Sequence, residues 1–230
     1  MTSMEPLRGL FAQYRQLLND ADDWFDQAAT GLGPTIGCQA GCSACCRGLF
    51  DITLPDALLL QVGFSQIDKE RRQHILERCR LRRDQLQELW PELDAPYLLN
   101  ALHNRPWQTM PEQDTTPCPL LDEQGYCSVY PYRPLTCRLH GFPHIETDGE
   151  VFSDSCCSYN EEAVCRSVQG VAPGPFRDLF TREAQLIRQV NLVLTGVAAS
   201  ELDTFIPLAL LIDFSDSQRW RFPADIRALC

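Results

Sequence analysis

Cys38-Gln39-Ala40-Gly41-Cys42-Ser43-Ala44-Cys45-Cys46 places four thiols within nine residues, and the rest of the chain is read outward from it. A second block begins at Cys118-Pro119 and Leu121, reaches Cys127, and is closed by Cys137 within Arg133-Pro134-Leu135-Thr136-Cys137-Arg138. Thiolate sulfur is soft, polarisable and negatively charged. Spacings of two or three residues let one loop wrap two ligands around an ion while a second loop supplies the rest. Gly37, Gly41 and Gly48 lie in and beside the first block and let the backbone fold tightly around a small centre. The expectation is a cation or an iron–sulfur cluster held by thiolates.

The chain has 230 residues, 44% of them hydrophobic, which is enough for an ordinary core. One domain spanning 1–230 is expected, with the metal-binding core at 38–157 between helical segments at 5–30 and 175–213. Lys and Arg number 20 against 31 Asp and Glu, a net charge of −11. A duplex backbone would repel that surface, which argues against nucleic acid as the main partner. No run of about 18 apolar residues exists, so no membrane span is expected. Met1 to Arg15 lacks the basic start and short apolar run of an export signal, which makes a cytoplasmic location the default. In that reducing compartment clustered cysteines favour metal over the disulfide framework that an even count of 12 also permits.

Leu7, Leu10, Phe11, Tyr14, Leu17, Leu18, Ala21, Trp24, Phe25 and Ala28 recur at helical spacing and predict one helix from about Glu5 to Ala29, its aromatic stripe packed in the core. Leu49 to Leu54 reads as extended, and Pro55 opens a short helix, Asp56 to Val62, capped near Thr53. Asp68 to Trp90 reads as a second long helix, with Cys79 on its apolar face as a small buried hydrophobe. A turn-rich connector, Pro91 to Pro117, holds a short helix around Tyr97 to His103. Asp122-Glu123-Gln124-Gly125 reads as a tight turn before an extended run, Tyr126 to Tyr130. Leu139 to Phe152 reads as a hairpin ending at Cys156-Cys157. A helix from Phe176 to Leu194 stops at Gly196, and Leu202 to Ile212 reads as a shorter one. The predicted class is mainly α with small β elements, the helices packed around an irregular cysteine-rich centre.

The adjacent pairs bear on the number of centres. Neighbouring side chains in extended backbone point to opposite faces, so Cys45 and Cys46 are expected to serve different centres, or one to be spare. The same holds for Cys156 and Cys157. The candidate ligands are Cys38, Cys42, Cys45, Cys46, Cys118, Cys127, Cys137 and, from the late pair, Cys157, with Cys156 left open. Eight sulfurs suffice for two four-ligand sites or one bridged site, the alternative being one four-ligand site with several thiols as spectators. Four thiolates around divalent zinc, or around an oxidised four-iron cluster, leave about −2 in formal charge. Arg47, Arg133 and Arg138 stand beside candidate ligands and are expected to offset it. His140 and His144 are alternative ligands; His74 and His103 fall on helical segments. No phosphate loop, nucleophile elbow or His-Glu-x2-His motif is present.

These two blocks, from Cys38 to Cys157, resemble the YkgJ-type cysteine-cluster proteins of the CxxCxxCC type, bacterial proteins described as zinc- or iron-chelating domains. The resemblance implies an eight-cysteine metal site but no particular reaction. Flagellin lysine methylases carry a similar cluster, which adds a metalloenzyme working by methyl transfer or redox chemistry to the expectations. The spacing Cys38-x3-Cys42-x2-Cys45 also matches the cluster loop of radical enzymes that cleave S-adenosylmethionine. Those need a series of strand–helix units after the loop, which this helical chain lacks. Zinc and iron, including a 4Fe-4S cluster, both accept four thiolates and are not separable from the sequence. The partner expected is the metal ion.

Overall fold

Leu54 to Phe64 carries almost no polar side chain, and the helix it forms is buried on every side. This is α2, Leu54–Ser65, in a computed structural model that describes residues 5–38, 41–102, 114–154, 156–166 and 171–229. Thr53 caps it by accepting from the Asp56 backbone N–H at 3.4 Å, and Pro55 sits where a missing N–H costs nothing. Each fully buried Leu here contributes about 2 kcal/mol of transfer free energy. The predicted helix over 56–62 is therefore longer at both ends.

The other long helices are α1 (Glu5–Leu32), α3 (Lys69–Leu89) and α6 (Phe176–Thr195), with shorter helices α4 (Leu135–Leu139), α5 (Glu161–Arg166) and α7 (Ile206–Ala209); α6 and α7 pack on α2. α1 buries the predicted stripe from Leu7 to Ala28 and packs against α6 and α4. An ion pair between Arg182 and Asp20 at 2.7 Å fastens α6 to α1. Asp68 caps α3 by accepting from the Arg71 N–H at 2.9 Å, and Cys79 is fully buried on its inner face. α6 stops at Gly196, whose φ of +80° suits glycine.

Among the described residues the strands make two antiparallel pairs. β1 (Asp51–Thr53) pairs with β4 (Asp203–Phe205), with Ile52 opposite Thr204. β2 (His144–Ile145) pairs with β3 (Val151–Ser153) and forms the predicted hairpin. The architecture is mainly α with small β elements, as its composition and periodicity predict.

Three expectations need correction. Leu202 to Ile212 is not one helix but β4 followed by the single turn of α7. Phe205 is held extended opposite Asp51, and the amide of Gln61 donates to the carbonyls of Ala209 and Ile212, each at 2.7 Å, which ends the turn. Tyr126 to Tyr130 is extended only at Cys127, bridged to Leu121, and then tightens into a 3-10 turn at Tyr130–Tyr132. The helix expected over 97–103 is one 3-10 turn, Leu99–Ala101; His103, like residues 103–113 of the connector and Cys230, lies outside the described residues.

Candidate metal centre

Backbone pairing brings the two cysteine blocks together. Arg47 and Pro117 form an antiparallel bridge, the Cys118 N–H donates to the Cys46 carbonyl at 2.9 Å, and the Gly48 N–H donates to the Thr116 carbonyl at 2.8 Å. A Cβ on Gly48 would lie 2.8 Å from the Asp114 carbonyl oxygen, so only glycine permits this approach. Beyond Cys118, the Asp122 carboxylate accepts from the N–H groups of Gln124 and Tyr126, an Asx turn that returns the chain to Cys127. Cys137 arrives on α4, whose first N–H, on Leu135, donates to the buried Asp56 carboxylate at 3.2 Å.

Cys38, Cys42, Cys45, Cys46, Cys118, Cys127 and Cys137 all line one cavity of about 640 Å³. Its remaining wall is largely apolar and includes Phe25, Phe50, Leu60 and Ile206. Phe25, expected in the core stripe, therefore faces the thiols. Cys45 and Cys46 both reach the same cavity, against the expectation of opposite faces. The reason is local: residues 44 and 45 turn, with the Cys46 N–H donating to the Ser43 carbonyl at 3.1 Å, so the alternation of an extended strand does not apply. Among the described residues no three Cys, His, Asp or Glu side chains converge on one ion-sized point; the thiols stand around the wall. No disulfide joins any of the ten cysteines whose side chains are described.

Burial raises the thiol pKa of Cys137 strongly and that of Cys118 to about 11. Cys45 is raised first by its hydrogen bond with Cys46 and then by burial. Desolvation thus keeps thiols neutral, and a cation entering here must displace protons. Arg133 is a positive charge in the wall and offsets part of the rise that burial, and for Cys45 first the Cys46 hydrogen bond, imposes on Cys45, Cys127 and Cys137. Its guanidinium carbon lies 3.7 Å from the centre of the Tyr130 ring, and it pairs with Asp22 at 3.4 Å. Arg138 is buried and points elsewhere. It donates to the carbonyls of Arg133 and Pro131 at 2.9 and 2.8 Å and pairs with Asp22. Arg47 is exposed and donates to the Thr115 carbonyl.

The late cysteines sit beside the cavity rather than in its lining. Cys157 is buried and close enough to Cys38 for its charge to raise the Cys38 pKa, after burial, the largest cause. Cys156 donates from sulfur to the Gly141 carbonyl at 3.3 Å. Between them and Cys38 stands Asn160, fully buried, with its amide 3.0 Å from the Cys38 sulfur. Nothing in the sequence marks this residue. His140 lines the cavity, and burial lowers its pKa. His144 does not line it: the ring stacks on Phe176 at 4.9 Å and bonds the Leu139 carbonyl at 3.1 Å. His74 is exposed on α3.

Seven sulfurs, one arginine and a mostly apolar wall make a thiol-lined chelating domain, and the donor set fits zinc or iron. Residues 37–157, just over half of the chain, match the CxxCxxCC family, described as a "putative zinc- or iron-chelating domain". The chain belongs to that family, and with membership comes metal binding. No curated protein and no solved structure matches the chain. Among the described residues no helix is long and apolar enough to cross a membrane.

Proposed function

We propose that this chain holds zinc or an iron–sulfur cluster through the thiolates of Cys38, Cys42, Cys45, Cys46, Cys118, Cys127, Cys137 and Cys157, in a structural or redox role, within one domain. The observation that carries the reading is the gathering of seven of these thiols, from segments far apart in sequence, around one cavity. A mononuclear tetrahedral site uses four sulfurs, so seven favour a centre with more than one metal atom. Arg133 offsets the thiolate charge, and the largely apolar wall lowers the polarity around the half-buried sulfurs. Bound metal would supply the cross-link that ties the 38–46 loop to α4, or a redox couple if it is iron. Clustered thiols available for metal suit a reducing compartment, and we assign the protein to the cytoplasm.

Anaerobic purification followed by elemental analysis and a visible spectrum tests this. A brown protein with iron and sulfide identifies a cluster; a colourless one with stoichiometric zinc identifies the structural site. Protein free of both metals, and unable to take up either on reconstitution, overturns the proposal.

The cavity volume favours a second reading, a metalloenzyme working by methyl transfer or redox chemistry. About 640 Å³ is the size of a small-molecule site, far beyond the volume of one ion. X-ray absorption on the loaded protein separates the readings: sulfur neighbours alone mean a closed shell, whereas an oxygen or nitrogen neighbour marks an open position.

A further inference from the structure

Asn160 is fully buried, and all of its polar atoms are engaged. Its Oδ1 accepts from the Gly37 backbone N–H at 2.8 Å. Its Nδ2 donates to the Cys38 sulfur at 3.0 Å and to the Gly141 carbonyl at 3.0 Å. The Gly37 donor determines which way the amide faces. Flipping it would set N–H against N–H, so the NH2 group must be the end that meets sulfur. The approach is tight on each side. A Cβ on Gly37 would lie 2.6 Å from the Tyr159 Cβ, and one on Gly141, at φ +134°, would lie 3.3 Å from the Cys38 sulfur. Asn160 is also tied to the late pair, since its own N–H donates to the Cys157 carbonyl at 2.7 Å.

We infer that Asn160 is a positioning residue for Cys38, an N–H donor to sulfur that orients this thiolate for metal and tunes the centre's electronics. The inference rests on the metal-binding reading above. A half-buried thiolate needs a donor to stabilise its charge, and here a fixed amide that does not line the cavity supplies one. Hydrogen bonds to sulfur set cluster potentials, and partners of this kind change metal affinity by about 10–100-fold when removed.

The test is a double-mutant cycle on full-length protein, read by zinc affinity in chelator competition or, for a cluster, by reduction potential. Asn160→Ala should weaken zinc binding about 10–100-fold, or lower the potential by withdrawing a donor from sulfur. On a Cys38→Ser background the same change should do nothing further. Equal effects in both backgrounds, or none in either, overturn the inference, because a merely structural asparagine would act without regard to the sulfur. Should the alanine variant fail to fold, Asn160→Asp serves instead. It keeps the shape and the acceptor for Gly37 but loses the amide donors, and it loads like wild type only if the inference is wrong. Wild-type protein that takes up no metal removes the underlying reading as well; wild type that loads normally while the Asn160 variants match it removes this inference alone.

Discussion

Gly63 lies against the ring of Tyr132, so close that a methyl group there would sit 2.5 Å from two ring carbons and 2.8 Å from the Tyr132 Cβ. The contact sets α2 against the turn that leads to Arg133 and Cys137, and the Gln66 amide donates to the Tyr132 hydroxyl at 2.7 Å beside it. In an exposed helix Gly→Ala stabilises by about 1 kcal/mol. Here overpacking costs about 1–3 kcal/mol, because the clash is with the root of the side chain rather than its flexible tip. Gly63→Ala should therefore lower the Tm and, by displacing the 132–137 segment, reduce metal content. A raised Tm would contradict the packing described.

Cys42 and Cys79 separate ligation from burial. Cys42 lines the cavity; Cys79 is fully buried on α3 and, although Cys118 is near enough to raise its pKa, does not. Cys42→Ser should lose metal and, since binding energy is folding energy, melt lower. Cys79→Ser should keep its metal while losing about 1–3 kcal/mol for a hydroxyl buried without a partner. Elemental analysis with thermal melts on both variants checks the contrast.

Asp22 joins α1 to the wall of the cavity by pairing with both Arg133 and Arg138. Arg138 is buried, so Asp22→Ala leaves a guanidinium without its counter-charge, though two carbonyls still accept from it. A buried pair loses about 3–5 kcal/mol when broken. Asp22 is more than a third exposed, so solvent screening reduces the expected loss to about 1–3 kcal/mol. Denaturant unfolding of the variant measures it.

Glu183 on α6 faces Tyr14, Asp56 and Asp203, and burial followed by the two carboxylates raises its pKa from 4.5 to about 8. The folded state then binds the proton more tightly than the unfolded chain. Its stabilising share is complete below about pH 4.5 and is lost as the pH rises through about 8. Asp56, raised by burial to about 6, produces a similar decline that ends lower. Glu183→Gln should therefore remove the fall in Tm between about pH 6 and 8 and reduce it to the Asp56 share between about pH 4.5 and 6. An unchanged slope between those values would show that Glu183 does not ionise in that range.

Long periodic segments were legible before folding was considered. The stripe from Leu7 to Ala28, the inner face of α3 with Cys79, and the Gly196 stop each follow from local chemistry. Residues 202–212 did not, because their apolar run suits a helix until Asp51–Thr53 arrives as a strand partner. The site divides in the same way. Its thiols announce themselves by spacing, whereas the turn that swings Cys45 and Cys46 to one side, and the single amide of Asn160, depend on contacts that no local pattern encodes.

Thr53 and Asp203 are register partners, and the chain between their strands carries the cysteines from Cys79 to Cys165, with Cys38, Cys42, Cys45 and Cys46 just before it. During synthesis all of these thiols therefore leave the ribosome before the strand beside Ile206, which completes the cavity wall, exists. For that interval the nascent chain carries unshielded sulfur. Capture of an ion and oxidation of the thiols then compete before the clasp can close, so metal supplied during translation should load more of the protein than metal added afterwards.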